Sequence, residues 1–102
     1  MTRDEELPRL DKLLEHGVRL GIAVLLARYD EISFSRFKAL LGETDGSLGA
    51  QLRKLGDAGY LTERKEFRDR RPVTWYALAP RGRKALAAHL DALRRLIRTA
   101  GR

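Results

Sequence analysis

The 102-residue chain contains no cysteine. Disulfides, thiolate zinc sites and cysteine nucleophiles are therefore excluded. Aromatic residues are few, at 7%, and Trp75 is the single tryptophan. Long apolar runs are missing too: no stretch approaches the ~18 residues that a membrane span needs. There are two histidines, His16 and His89, far apart and without a neighbouring motif. His16 reads as the end of a first helix, where an imidazole suits the dipole. No glycine-rich phosphate loop follows a strand. Asp30-Glu31 reads as a charged helix end rather than a carboxylate pair, and no metal ligands cluster. The sequence thus offers no catalytic residue, no metal site and no cofactor site. Met1 to Glu6 is polar and acidic rather than a secretory leader. A cytoplasmic or nucleoid-associated location is expected.

What the chain has in excess is positive charge. Lys+Arg is 21 against 14 for Asp+Glu, a formal net charge of +7, and 34% of all residues are charged. The isoelectric point is about 10.4. Such a balance expects an anionic partner, nucleic acid first. The length suits one domain, residues 1–102, with one modest core.

Residues 7–16 read as a first helix, with Leu7, Leu10 and Leu14 on one face and Pro8 in its first turn. Residues 18–29 are apolar round much of their circumference and predict a core helix. Gly21 within it suggests a close neighbour. Glu31 to Phe34 alternates and suits a short strand. Ser35 is expected to cap a helix through Leu41, with Arg36 and Lys38 outward. Gly42 ends it. Thr44 then caps a second helix, with Asp45 where the dipole favours an anion.

That second helix organises the chain. Leu48, Leu52 and Leu55 stand at i, i+4 and i+7, one apolar stripe. Opposite lie Gly46, Ala50, Arg53 and Lys54, with Ser47 and Gln51 at the edges. A thin, basic, hydrogen-bonding face suits a DNA major groove. Ordinary surface helices also carry such a stripe, so the neighbours decide. Two short helices joined across Gly42 form a helix-turn-helix, about residues 35–58. Residues 60–66 and 73–78 read as strands, joined by the cationic tip Phe67-Arg68-Asp69-Arg70-Arg71-Pro72. A solvated charged loop is the plainer alternative for that tip. Trp75 and Tyr76 are consecutive on a strand, so one of them faces the core. Pro80 opens a last helix to about residue 98, with Leu86, Leu90, Leu93 and Ile97 on a heptad-like seam.

This order resembles the winged-helix DNA-binding domains of small prokaryotic transcriptional regulators, the MarR-like branch in particular. The resemblance rests on Phe34 to Lys38, Leu41 to Leu48, Gln51 to Leu55, Ala58 to Leu61, the wing residues Phe67, Arg70 to Pro72 and Thr74 to Leu78, and Gly82-Arg83. It implies a mainly α fold with a small β-hairpin wing at about residues 60–78. Two positions depart from the pattern. Ala79-Pro80 replaces the usual threonine cap, and Gly49 and Gly56 stand where serine and glutamate are commoner.

On this reading the chain binds double-stranded DNA, without cofactor, as a transcriptional regulator. Ser47, Gln51, Arg53 and Lys54 are the candidate base readers, with Thr44, Asp45, Gly46 and Ala50 beside them. Ser35, Arg36 and Lys38 would hold the backbone. Arg64, Lys65, Arg68, Arg70 and Arg71 would grip phosphates or enter a minor groove. Leu7, Leu10, Leu14, Leu86, Leu90, Leu93 and Ile97 offer an interface for a homodimer, which makes the helix over 80–98 a dimerisation helix. The rivals are a winged helix serving as a protein-interaction module, and non-specific chromatin packing.

Overall fold

The computed structural model describes residues 7–101. Its regular elements are α1 (Gly17–Arg28), β1 (Ile32–Ser33), α2 (Phe34–Leu41), α3 (Asp45–Asp57), β2 (Leu61–Arg68), β3 (Arg71–Leu78) and α4 (Pro80–Ala100). The strands form one antiparallel sheet in the order β1-β3-β2. Phe37, Leu14, Ile22, Leu26, Leu48 and Leu55 fill the core. The last two fix the inward stripe of α3, so its opposite face is turned to solvent.

Residues 7–16 do not form the expected helix. Only a single 3-10 turn forms, Leu13–Glu15. Asp11 explains this. Its carboxylate accepts from the Leu13 and Leu14 amides at 2.8 and 3.3 Å. Its own amide donates to His89 Nδ1 at 2.9 Å. These bonds compete with a continuous helix. His16 then has an extended backbone, ψ 126°, and its Nδ1 accepts from the Val18 amide. It opens α1 rather than closing a helix, which corrects the expectation. Capping of α2 also shifts: Ser33, not Ser35, accepts from the Arg36 amide, at 3.2 Å. Gly42 ends α2 in the left-handed region, φ 65°, as expected. Gly21 does meet a neighbour; a Cβ there would lie 3.2 Å from a Leu41 methyl. Ala79 gives α4 no side-chain cap, and Pro80 begins it.

Asp11 is also a tertiary tie. Tyr60, in the turn after α3, donates its hydroxyl to the Asp11 carboxylate at 2.5 Å. Burial, and then this bond, push the Tyr60 phenol from 10.0 up to about 12. A phenol more acidic in the unfolded chain contributes stability that is complete below pH 10 and lost as pH rises through about 12. Denaturant midpoints should therefore fall over that window. Tyr60→Phe should flatten this fall; a Tyr60→Phe profile parallel to wild type would exclude Tyr60 as its source.

Candidate nucleic-acid interface

Thr44 Oγ1 accepts from the Ser47 amide at 3.1 Å and so starts α3 as expected. The Asp45 carboxylate, in the first turn, pairs with Lys38 Nζ at 2.8 Å and ties α3 to α2. Gly46, Arg53 and Lys54 are exposed on the outer face, with Ala50 half-buried among them. A Cβ at Gly46, Gly49 or Gly56 would meet nothing within 4 Å. Their smallness therefore serves no packing inside the chain.

Two of the expected base readers are engaged elsewhere. Gln51 Oε1 accepts from Arg19 Nη1 at 2.6 Å, and Arg19 Nε donates to the Leu13 carbonyl at 2.6 Å. Gln51 is thereby turned toward α1, away from the outer face. Ser47 Oγ donates to Glu43 at 2.5 Å. The free charged groups on α3 are Arg53, Lys54 and, at its last turn, Asp57, none of which forms an ion pair among the described residues. On α2, Ser35 and Arg36 are exposed. Arg36 lines a cleft of about 390 Å³ with Tyr29, Leu40 and Trp75, on the flank away from Lys38.

The wing is longer and tighter than expected. Pairing runs to Arg68↔Arg71, so the turn is only Asp69-Arg70. Both turn residues are left-handed, φ 51° and 67°, the backbone of a type I′ hairpin. Strand alternation then divides the wing's cations between two faces. Glu63, Lys65 and Phe67 share the inner face with Pro72, Thr74 and Tyr76, whose ring is in the core. Arg64, Glu66 and Arg68 share the outer face with Arg71, Val73 and Trp75.

On that outer face Glu31 and Glu66 pair with Arg64 and Arg68, leaving Arg71 without an ion pair among the described residues. Arg64 grips Glu31 with two bonds, 2.8 and 3.0 Å, and reaches Glu66 at 3.0 Å. Glu66 also accepts from Trp75 Nε1 at 2.9 Å and from Arg68 at 3.2 Å. Both guanidiniums lie 5.8 Å from the Trp75 ring centroid, a cation–π distance. Arg64 holds the Glu31 carboxyl below the usual carboxylate range, and Trp75 and then Arg64 do the same for Glu66. These two acids raise the Arg64 guanidinium further still. Arg64 thus ties the wing to the turn before β1, while Arg68 is held within the hairpin by Glu66 and Trp75. Both remain half-exposed or more, so a phosphate would compete with these acids for them. Arg70 and Arg71 form no ion pair among the described residues, and Lys65 stands 4.0 Å from Glu63. Between α3 and the inner face of the wing runs a groove of about 590 Å³, lined by Gly49, Arg53, Gly56, Thr62 and Glu63.

The expected dimer residues also divide. Leu14 and Leu86 are 0% and 4% exposed, inside this chain's own core, and cannot face a second copy. Leu90 packs against that core, while Leu10 and Leu93 are half-buried. Leu7 and Ile97 are 69% and 67% exposed. No described residue of α4 after Ala92 is buried. His89 is 2% exposed and bonded to Asp11, a satisfied core histidine. The sequence reading missed Glu31 and Arg19 as groups that engage polar side chains of the wing and α3. Their partners are 33 and 32 residues away, so spacing gives no sign of them. Glu66 and Glu43 stand only two and four residues from the groups they bind.

Residues 18–97 match the family model described as the winged helix DNA-binding domain. No curated protein sequence matches the chain. Among solved structures, a transcriptional regulator homologue from Pyrococcus horikoshii OT3 superposes with a TM-score of 0.82 at 28% identity, over 88% of this chain and 89% of that one. MarR superposes with a TM-score of 0.71 at 17% identity, over 82% of this chain and 61% of its own. The regulator BldR from Sulfolobus solfataricus gives 0.67 at 22%, over 81% and 58%. The chain spans about three fifths of these last two.

Proposed function

The chain belongs to the winged-helix DNA-binding domain family, and on that premise we propose that it is a sequence-specific transcriptional regulator of double-stranded DNA, acting in the cytoplasm as a single-domain homodimer. The outer face of α3 carries the reading. There Arg53 and Lys54 stand unpaired on a surface flattened by Gly46 and Ala50. Gly46 leaves no side chain between the helix backbone and a groove floor. Arg53 is placed to bond guanine bidentately. Arg70 and Arg71, at the wing tip, meet the backbone or the adjacent minor groove. Ser35 and Lys38 steady the backbone from α2. The archaeal relative named a transcriptional regulator homologue supports the same reading.

The test is a titration at fixed salt of a duplex selected from a random pool against the random pool itself. Regulation requires the selected duplex to bind at least about 10³-fold tighter. Arg53→Ala should cost about 1–3 kcal/mol on the selected site and relax preference at one base position. Equal losses on both duplexes would make Arg53 a phosphate contact. Equal wild-type affinity for both duplexes would leave only non-specific packing.

A further inference from the structure

Phe67 is 78% exposed, more than any other large apolar side chain among the described residues. It faces Pro72 across the hairpin, and Pro72 is exposed as well. The two lie on the wing's inner face, on the side of the α3 groove. Lys65 shares that face, Arg70 lies in the turn beside it, and Arg71 is next to Pro72 in sequence but on the opposite face. Among the described residues, none covers the Phe67 ring more than slightly. The hairpin that presents it is stiff: it is paired to the last residue before a two-residue turn, and its root is braced through Glu31, Arg64, Glu66 and Trp75.

We propose that Phe67, backed by Pro72, is a wedge that enters the DNA minor groove beneath the wing and leans into one base step, opening the stack and bending the duplex. The proposal rests on the DNA-binding reading above. A phenyl ring has no hydrogen-bonding group and reads no base edge. What it does against DNA is stack or part bases, and apolar wedges carried on cationic arms do this in the minor groove. Lys65, Arg70 and Arg71 supply attraction to that electronegative groove. The wedge has a consequence for specificity. Pyrimidine–purine steps unstack most readily, so the wing selects such a step without hydrogen-bonding to it.

The experiment uses the full chain and its selected duplex, with 2-aminopurine placed at successive positions beside the α3 site. Wild type should brighten the probe at one step and bend the duplex in an end-to-end energy-transfer assay. Phe67→Ala should abolish both and weaken binding about 10- to 100-fold. It should leave the dependence of binding on salt unchanged, because no charge is lost. Phe67→Leu should retain part of the bend. Arg70→Ala should do the reverse, flattening the salt slope by up to about 0.9 while the probe still brightens. The fold is not at issue in Phe67→Ala, whose thermal unfolding should match wild type. Wild type that binds with a normal salt slope while every probe stays dark overturns the wedge and leaves the DNA reading standing. So does Phe67→Ala with wild-type affinity and bend. A Phe67→Ala variant whose only change is in the sedimentation of the free protein assigns the ring to a protein contact and rejects the wedge. Wild type that binds no duplex at all removes both readings together.

Discussion

Gly82→Ala should be strongly destabilising and unfold at clearly lower urea than wild type. A Cβ at position 82 would run into the Tyr60 carbonyl oxygen, with that residue's carbonyl carbon at 2.9 Å and Cα at 3.0 Å. The obstacle is backbone, so no rotamer change relieves it. The same carbonyl accepts the Ala79 amide at 2.9 Å, the bond that seats the start of α4. Backing α4 away would break that bond and draw His89 off the Asp11 amide. Overpacking against a fixed backbone costs about 3 kcal/mol or more, a large share of the roughly 5–15 kcal/mol that holds a domain together. Gly49→Ala is the control. Its Cβ meets nothing within 4 Å, and alanine should raise stability by about 0.5–1 kcal/mol in a helix interior. Urea unfolding of both variants decides the matter. If Gly82→Ala unfolds with wild type, α4 does not sit against Tyr60 as described.

These two glycines show where sequence reasoning reaches and where it stops. Periodicity located α3 and α4 because a helix stripe is local, and Leu48, Leu52 and Leu55 are buried as their spacing required; α1 was legible instead as a short run apolar nearly all round. The consecutive Trp75 and Tyr76 part to opposite faces of the sheet, again from local geometry. Residues 7–16 failed because a helical spacing of leucines was overridden by tertiary bonds from Asp11 to His89 and Tyr60, 78 and 49 residues away. The wing formed where it was expected, but its charge pairing was not foreseen. Its cations were visible, but their counter-charges were not. Glu66 lies two residues from both Arg64 and Arg68, on the same strand face, and that much could have been read. Glu31 could not, since only the β1–β3 pairing brings it within reach of Arg64 across β3. Gly82 and Gly49 look alike in sequence. Only the fold shows that one touches backbone and the other faces open space.

The Leu93→Glu, Ile97→Glu double variant should fold as wild type and lose about 10²–10⁴-fold in affinity for an inverted-repeat operator. Once Leu14 and Leu86 are assigned to the core, the remaining seam is Leu7, Leu10, Leu90, Leu93 and Ile97, joined by half-buried Leu96. All described residues of α4 past Ala92 lack full cover within the chain. Two copies meeting about a two-fold axis would close this seam isologously. The recognition helices would then reach successive major grooves, with half-sites about 10 bp apart. The second half-site is reached at the effective concentration that the dimer sets, and this is where the large factor arises. Glutamates at 93 and 97 place like charges across the axis while sparing the core, whereas Leu86→Glu should unfold the chain outright. Sedimentation at micromolar concentration should give a wild-type dimer and a monomeric double variant that still binds one half-site with an unchanged salt slope. Wild type that sediments as a monomer, both free and on the full operator, ends the dimer and leaves α4 to cover the core of one chain.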